Sequence, residues 1–326
     1  MKRNFKTIGL LFLGVITMVS CSNDDDNPSS PTLPSQQDYA ALSEAALDNI
    51  TQHFTMVAED GSTTFTSDKG VKITIDGNCL TLNGNAVTGT VDVKFIEVFD
   101  KGSMLVTNKP TSGRLPNGNL ELLISGGEFY VNATKNGQQL AINCNIMLEV
   151  PTNLSGGADL GMNLFNGIIN DDGNLEWREN DNAGGIDVGG QGTGGGTNYY
   201  VSFGNFGWTN VDKFYSDPRP KTTILVDAPD GYDFDNSAVY LSYDGEGQNA
   251  LAKMDTYTAA GLFSEHYGQI PIGLACHIIF VTEENGQFRY GIKGVTTSAN
   301  AVYSFTLAET TLGTEAQLVA AINAIQ

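Results

Sequence analysis

A mainly β fold is predicted, with two β-sandwich-like domains, an N-terminal amphipathic helix and a C-terminal helix. Apolar and polar residues alternate with period two in run after run between Ser62 and Leu307. Asn-Gly pairs and other turn residues separate these runs, and long helical periods are scarce. The 38 glycines among 326 residues fit the same turn-rich class.

The chain opens on an export signature, residues 1–20. Lys2, Arg3 and Lys6 form a positive n-region, and Ile8 to Val19 form an apolar h-region. That run is too short for a bilayer core of ~30 Å and suits a signal peptide. Met18-Val19-Ser20-Cys21 reads as a lipobox, which makes Cys21 the lipidation site, acylated on its sulfur and then on its new α-amine. Ser22, Asn23, Asp24, Asp25 and Asp26 follow directly. This acidic run resembles the export signal that sends Bacteroidota lipoproteins to the outer leaflet of the outer membrane. A solvated acidic linker is the plainer alternative. Residues 21–37 then form a tether, kept extended by Pro28, Pro31 and Pro34.

Asp38 reads as a helix N-cap, and Tyr39, Leu42, Ala46, Ile50 and Phe54 recur at helical spacing, so a helix is expected over residues 39–52. It leads the first domain, residues 38–182, and its apolar face is expected on the sheet that follows. Strands are expected at 64–66, 71–75, 91–98, 128–133 and 146–150, with turns at Asp76-Gly77-Asn78, Asn83-Gly84-Asn85 and Lys135-Asn136-Gly137. Met162 to Trp177 reads as a hairpin around Asp171-Asp172-Gly173-Asn174. A glycine-rich linker over 183–197 marks a domain boundary. The second domain, 198–326, shows strands at 199–203, 222–226, 238–243, 276–282, 288–293 and 301–307, with Asn285-Gly286 as a hairpin turn. Thr314 and Gln317 form a capping box for a last helix with Leu318, Ala321, Ile322 and Ile325 as its stripe.

The chain carries 17 basic against 37 acidic residues, and loss of the basic leader makes the balance more acidic still. Phosphate backbones are held by Lys and Arg, so nucleic acid is excluded as a partner. The partners that fit are the membrane, through the covalent lipid, and a glycan or another surface protein. Beyond Cys21 stand Cys79, Cys144 and Cys276, all in apolar strand-like contexts. Buried thiols are the favoured reading, and a Cys79–Cys144 bridge is the alternative.

Lys69 to Ile75, Gly89 to Glu97, Ser125 to Thr134 and Ile146 to Pro151 carry a resemblance. Residues 65–151 resemble the β-sandwich domain shared by ankyrins, netrin receptors and many bacterial surface lipoproteins. The resemblance implies a spacer and binding scaffold. Asp76-Gly77-Asn78 departs from the proline-rich residues of the eukaryotic pattern. His53-Phe54-Thr55 stands at the wrong end, and with Thr for Ser, for the self-cleavage of some relatives. Gly207 to Phe214 and Gly268 to Leu274 make residues 198–326 resemble the C-terminal half of uncharacterised Bacteroidota lipoproteins.

No cofactor is implied, because nucleotide, zinc and hydrolase fingerprints are missing from the sequence. His266 reads as loop surface and His277 as a satisfied core residue. Asp230, Asp233 and Asp235, with Asp227, form the weak calcium candidates, an exposed acidic turn being the competing account. Asn170, Asp172, Gly173 and Glu179 match part of a calcium loop, but Ile168 stands at its first ligand position. Trp177, Trp208, Phe214 and Tyr215 are the candidate ligand-binding residues, with Phe203 and Phe206 nearby and Lys213 and Arg219 as polar neighbours. A flat ring stacks on the C–H face of a sugar, while core packing is the competing role for tryptophan. The expected function is a non-catalytic binding or structural module at the outer-membrane surface. The alternatives are a glycan-binding accessory of a polysaccharide-uptake system and an acid/base hydrolase using paired carboxylates.

Overall fold

The computed structural model describes residues 32–170, 174–180, 186–189, 196–245, 249–265 and 268–325. Cys21 and the run Ser22, Asn23, Asp24, Asp25 and Asp26 lie outside the described residues. Strands account for 49% and helices for 15%, so the mainly β expectation holds. Among the described residues no helix is long and apolar enough to cross a membrane.

Three of the five Asn-Gly pairs act as hairpin turns. Asn83-Gly84, Asn136-Gly137 and Asn285-Gly286 all take positive φ, between 51° and 82°. Such turns twist in the same sense as the strands they join. Asn285-Gly286 thereby closes the longest ladder, Ala275–Glu284 against Gln287–Thr296.

A central sheet runs in the order Gln52–Val57, Thr90–Val98, Leu120–Lys135, Gly207–Phe214, Asn163–Ile169, Leu175–Glu179 and Ser112–Arg114. A second sheet, ordered Ile186–Gly189, Asn198–Phe203, Ile146–Pro151, Lys72–Asp76 and Ser62–Thr66, shares a core with it. Ile73, Ile75 and Val201 from this sheet meet Phe95, Phe129 and Val131 from the central one. The C-terminal half repeats the device. Ser237–Tyr243, Ala275–Glu284 and Gln287–Thr296 lead one sheet, and Phe263–Ser264, Leu225–Asp227 and Val302–Ser304 lead its partner. Val239, Ile278 and Phe280 pack there against Val226, Phe263 and Phe305.

Three helices pack between the central sheet and the main C-terminal sheet: α1 (Gln36–Asn49), α2 (Lys101–Val106) and α3 (Glu315–Asn323). Ala46, Met104, Leu318 and Ile322 share a core with Ile96 and Val98 of the former and Tyr240 and Ile279 of the latter. The helix at the chain end begins at the expected Thr314–Gln317 capping box.

Several expectations need correction. The boundary at 183–197 does not separate two bodies, since Leu33–Gln326 form one compact unit. Ile186–Gly189, inside the supposed linker, pairs with Asn198–Phe203. That strand pairs in turn with Ile146–Pro151, and Gly207–Phe214 pairs with Leu120–Lys135. Residues 198–214 therefore complete the first sandwich, because Tyr199, Val201 and Phe203 cover a core that the earlier strands leave open. The first helix starts at Gln36 with Ser35 as N-cap, and Asp38 is the reciprocal partner of the capping box. It ends at Asn49. Phe54 instead stands on the first strand and stacks on Phe65 at 4.9 Å. Helix α1 shares a core with Ile96 and Val98 of the sheet that follows it, and packs on α2 and the C-terminal sheet as well. Helix α2 has no sequence expectation; Asp100 caps it by accepting from Ser103 N.

Gly126-Gly127 lie inside the strand Leu120–Lys135, not before a shorter one. Gly127 has φ of 136°, and a Cβ there would meet Phe99 and Phe129 at 2.6 Å. The strand can bend at this point, opposite a bulge between Asn210 and Asp212. Leu122 consequently reaches the C-terminal core while Phe129 and Val131 reach the first.

Cys79 and Cys144 form a disulfide across 65 residues of sequence, overturning the free-thiol preference. Spacing could not reveal it, because the short strands Leu80–Leu82 and Ala141–Ile142 bring the two cysteines together by pairing. Cys276 is a buried free thiol, and burial pushes its pKa up to about 12. Constraint of so long a loop in the unfolded chain gives a testable expectation. Cys144→Ser should lower unfolding free energy by about 2–4 kcal/mol, and reductant should produce the same loss in the parent but none in the variant. Denaturant titration with and without reductant measures both.

Candidate functional site

The aromatic candidates do not form an open platform. Trp177 is fully buried, packed with Leu123, Phe165 and Leu175, and its Nε1 donates to Pro110 O at 3.1 Å. Tyr215 is buried, edge-on to Tyr243 at 5.3 Å. Phe214 is half-buried against Phe165 at 5.5 Å. Trp208 is also half-buried. It stands opposite Tyr130 in the ladder, with ring centroids 5.3 Å apart, and Lys109 Nζ lies 5.6 Å from its ring. These rings pack inward because the strands carrying them belong to a sheet covered on both faces. Lys213 pairs with Asp159 at 2.6 Å, and Arg219 pairs with Asp217.

The acidic turn serves local structure. Asp233 Oδ1 accepts from Asp235 N at 3.0 Å. Among the described residues no group of three ligand-type side chains, Asp230, Asp233 and Asp235 included, is placed to hold a metal. Asn170 closes the hairpin turn by accepting from Asn174 N at 2.9 Å, and Asp172 and Gly173 lie outside the described residues. His266 lies outside them as well, while His277 Nδ1 is 2.7 Å from Asp244 Oδ1. For the hydrolase alternative, Glu121, Asp255 and Glu265 line one void of 30 Å³. That is room for about two waters and not for a sugar ring.

A groove of 340 Å³ opens beside Trp208. Its rings are Tyr130 and Phe206, and its amides are Asn132, Gln139 and Asn205. Alternation along Leu120–Lys135 sends Phe129, Val131 and Ala133 into the first core, so Tyr130 and Asn132 point out of the opposite face. Phe206 comes from the turn between Asn198–Phe203 and Gly207–Phe214, and its inner side packs on the same core. Gln139 Nε2 donates to Leu140 O at 3.0 Å, which orients its amide. The side-chain amides of Asn132 and Asn205 make no hydrogen bond among the described residues. No charged side chain lines this groove. Such a lining offers ring faces to C–H surfaces and amide groups to hydroxyls. Trp208 buttresses Tyr130 instead of contacting the groove itself.

The sequence points to Phe206 among the aromatics but not to Tyr130, Asn132, Gln139 or Asn205. The available signal was the alternation around Phe129, Val131 and Ala133, which fixes where Tyr130 points. Asn205 is brought to it only by the pairing of two strands distant in sequence.

Comparison with protein-family models finds no match, and comparison with curated proteins finds none. The roles of the two tryptophans are separable by stability. Trp177→Ala should cost about 3–5 kcal/mol, as expected for emptying a buried aromatic site, and Trp177→Phe should cost less. Tyr130→Ala, removing a half-buried ring at the surface, should cost less than Trp177→Ala. Urea unfolding midpoints rank the three variants.

Proposed function

We propose that this chain is a lipid-anchored protein of the outer-membrane surface that binds rather than transforms, and that its groove takes a neutral oligosaccharide. The anchor rests on the Cys21 lipobox, and the surface address on the acidic run after it. Acyl chains contribute ~0.8 kcal/mol per buried methylene, so several of them hold a protein firmly without a spanning helix. The resemblance of residues 65–151 to the ankyrin and netrin-receptor sandwich supports a scaffold role.

The observation that favours a neutral glycan is the contrast between the groove and the chain. In a protein with 37 acidic and 17 basic residues, a groove lined by two aromatic rings, three amides and no charge suits an uncharged, hydroxyl-rich ligand. The two rings lie on different segments, so they can contact more than one sugar unit or both sides of one. The lining supplies no carboxylate, imidazole, amine or thiol for proton transfer, which favours capture over hydrolysis.

A glycan array probed with the full chain in detergent tests this reading. Neutral oligosaccharides should be retained, and Tyr130→Ala and Phe206→Ala should each weaken them about tenfold, equivalent to ~1.4 kcal/mol. Retention unchanged in both variants would remove the groove from consideration. For the anchor, Cys21→Ala should abolish acyl labelling and release the protein from the membrane fraction. For the address, protease added to intact cells should cut the chain; a chain left whole until lysis is not at the surface.

A further inference from the structure

A second cleft, 330 Å³ in volume, lies between one face of α1 and segments from four other parts of the chain. Its rim is exposed and carries Gln36, Glu44 and Asp235, whereas its floor carries Asn174, Lys109 and Lys253. Lys253 Nζ donates to Asn174 Oδ1 at 2.8 Å and to Asn108 Oδ1 at 3.1 Å. Asn108 Oδ1 also accepts from Tyr240 OH at 2.8 Å, so that oxygen is fully used. Lys109 Nζ has one hydrogen bond, a 3.3 Å contact to Thr107 O.

Donor capacity is left over at this floor: Lys253 Nζ makes two hydrogen bonds, and Lys109 Nζ makes one and lies 5.6 Å from the Trp208 ring. Neither Lys109 nor Lys253 makes an ion pair among the described residues, although the chain holds 37 acidic side chains. Asn174 is 8% exposed, and its Nδ2 has no hydrogen-bond partner. The Glu128 carboxyl pulls the Lys109 pKa up but makes no ion pair with it among the described residues. Burial, and then the nearby Asp212 carboxyl, push the Glu128 pKa well up and favour its neutral form. Burial also pulls Lys253 down to about 8, with the Lys109 charge adding to the shift and Asp255 opposing it. Two cations without an ion-paired carboxylate thus converge with a buried amide N–H, which is costly unless an anion arrives.

We propose that this cleft binds the carboxylate of a sugar acid, gripped between Lys109 and Lys253 with Asn174 Nδ2 as the third donor. A carboxylate has two oxygens and about four lone-pair sites, enough for all three donors. The exposed carboxylates Glu44 and Asp235 at the rim oppose a doubly charged phosphate more than a singly charged ligand. Gln36 and Ser43 at the α1 wall can meet ring hydroxyls, and the half-buried Phe234 supplies an apolar side. This site is separate from the groove at Tyr130 and Phe206 and does not depend on it.

Calorimetric titration of the full chain in detergent tests the proposal, with glucuronate, glucose and inorganic phosphate as probes. Glucuronate should bind saturably, and glucose and phosphate at least tenfold more weakly. Lys109→Met and Lys253→Met should each weaken glucuronate at least tenfold. If the methionine variants fail to fold, Asn174→Asp adds a negative charge at the floor while keeping an oxygen for Lys253, and it should abolish binding with the thermal midpoint retained. Phe206→Ala should leave glucuronate affinity unchanged, which separates this result from failure of the groove. Equal binding of glucose or phosphate, no saturable glucuronate binding, or full affinity in the folded variants would overturn the proposal.

Discussion

The central sheet has to be covered on both faces, and the rest of the architecture follows from that need. Strand Thr90–Val98 alternates at first, with Val91 and Val93 inward, and then every residue from Phe95 to Phe99 is buried. A one-sided sheet would leave Ile96 and Val98 in water. Their cover is α1 from earlier in the chain, and α2, α3 and the C-terminal sheet from later in it. The strand Leu120–Lys135 enforces the same union from within, since its two ends feed two different cores. Backbone bonds reinforce it, with Ser125 N donating to Asn249 O at 3.0 Å and Thr111 N to Leu251 O at 2.9 Å.

This double burial also traps polar groups. Glu97 is buried on the strand, yet Ser67 Oγ and Lys69 N donate to it at 2.7 and 3.0 Å. Lys101 is fully buried, with Nζ donating to Ile325 O at 2.7 Å and Ser242 Oγ at 3.1 Å. It thereby ties α2 to the end of the chain and to the C-terminal sheet. Glu128 has no such partner, and burial pushes its pKa well up, because a charge is costly to bury. Strands near the bulge between Asn210 and Asp212 thus hold polar side chains that a single sandwich would leave hydrated.

Trp208 connects the two candidate sites. Its ring meets Tyr130, which lines the uncharged groove, and Lys109, which lines the donor-rich cleft. A residue proposed as a ligand platform serves instead as the wall behind two concavities of opposite character. One suits hydroxyls and C–H faces, the other a negative charge. A ring held on both sides this way positions its neighbours, which is a different use of aromatic area from direct stacking on a ligand.

Local chemistry by itself determined much of this protein. Period-two runs became strands, three Asn-Gly pairs became hairpin turns, and Thr314 with Gln317 started the last helix, because each depends on residues within a few positions. The acidic balance and the Cys21 signature are likewise properties of the sequence. Tertiary structure decided what joins what. Glycine content at 183–197 could not disclose that 198–214 completes the first sandwich, and spacing could not disclose the Cys79–Cys144 bond. It also decided that Trp177 is core while Tyr130 and Phe206 face a groove, and that Lys109, Asn174 and Lys253 share a floor. Alternation tells which residues share a face of one strand. Which strand lies beside it, and what covers that face, depends on pairings across a hundred or so residues that no local pattern encodes.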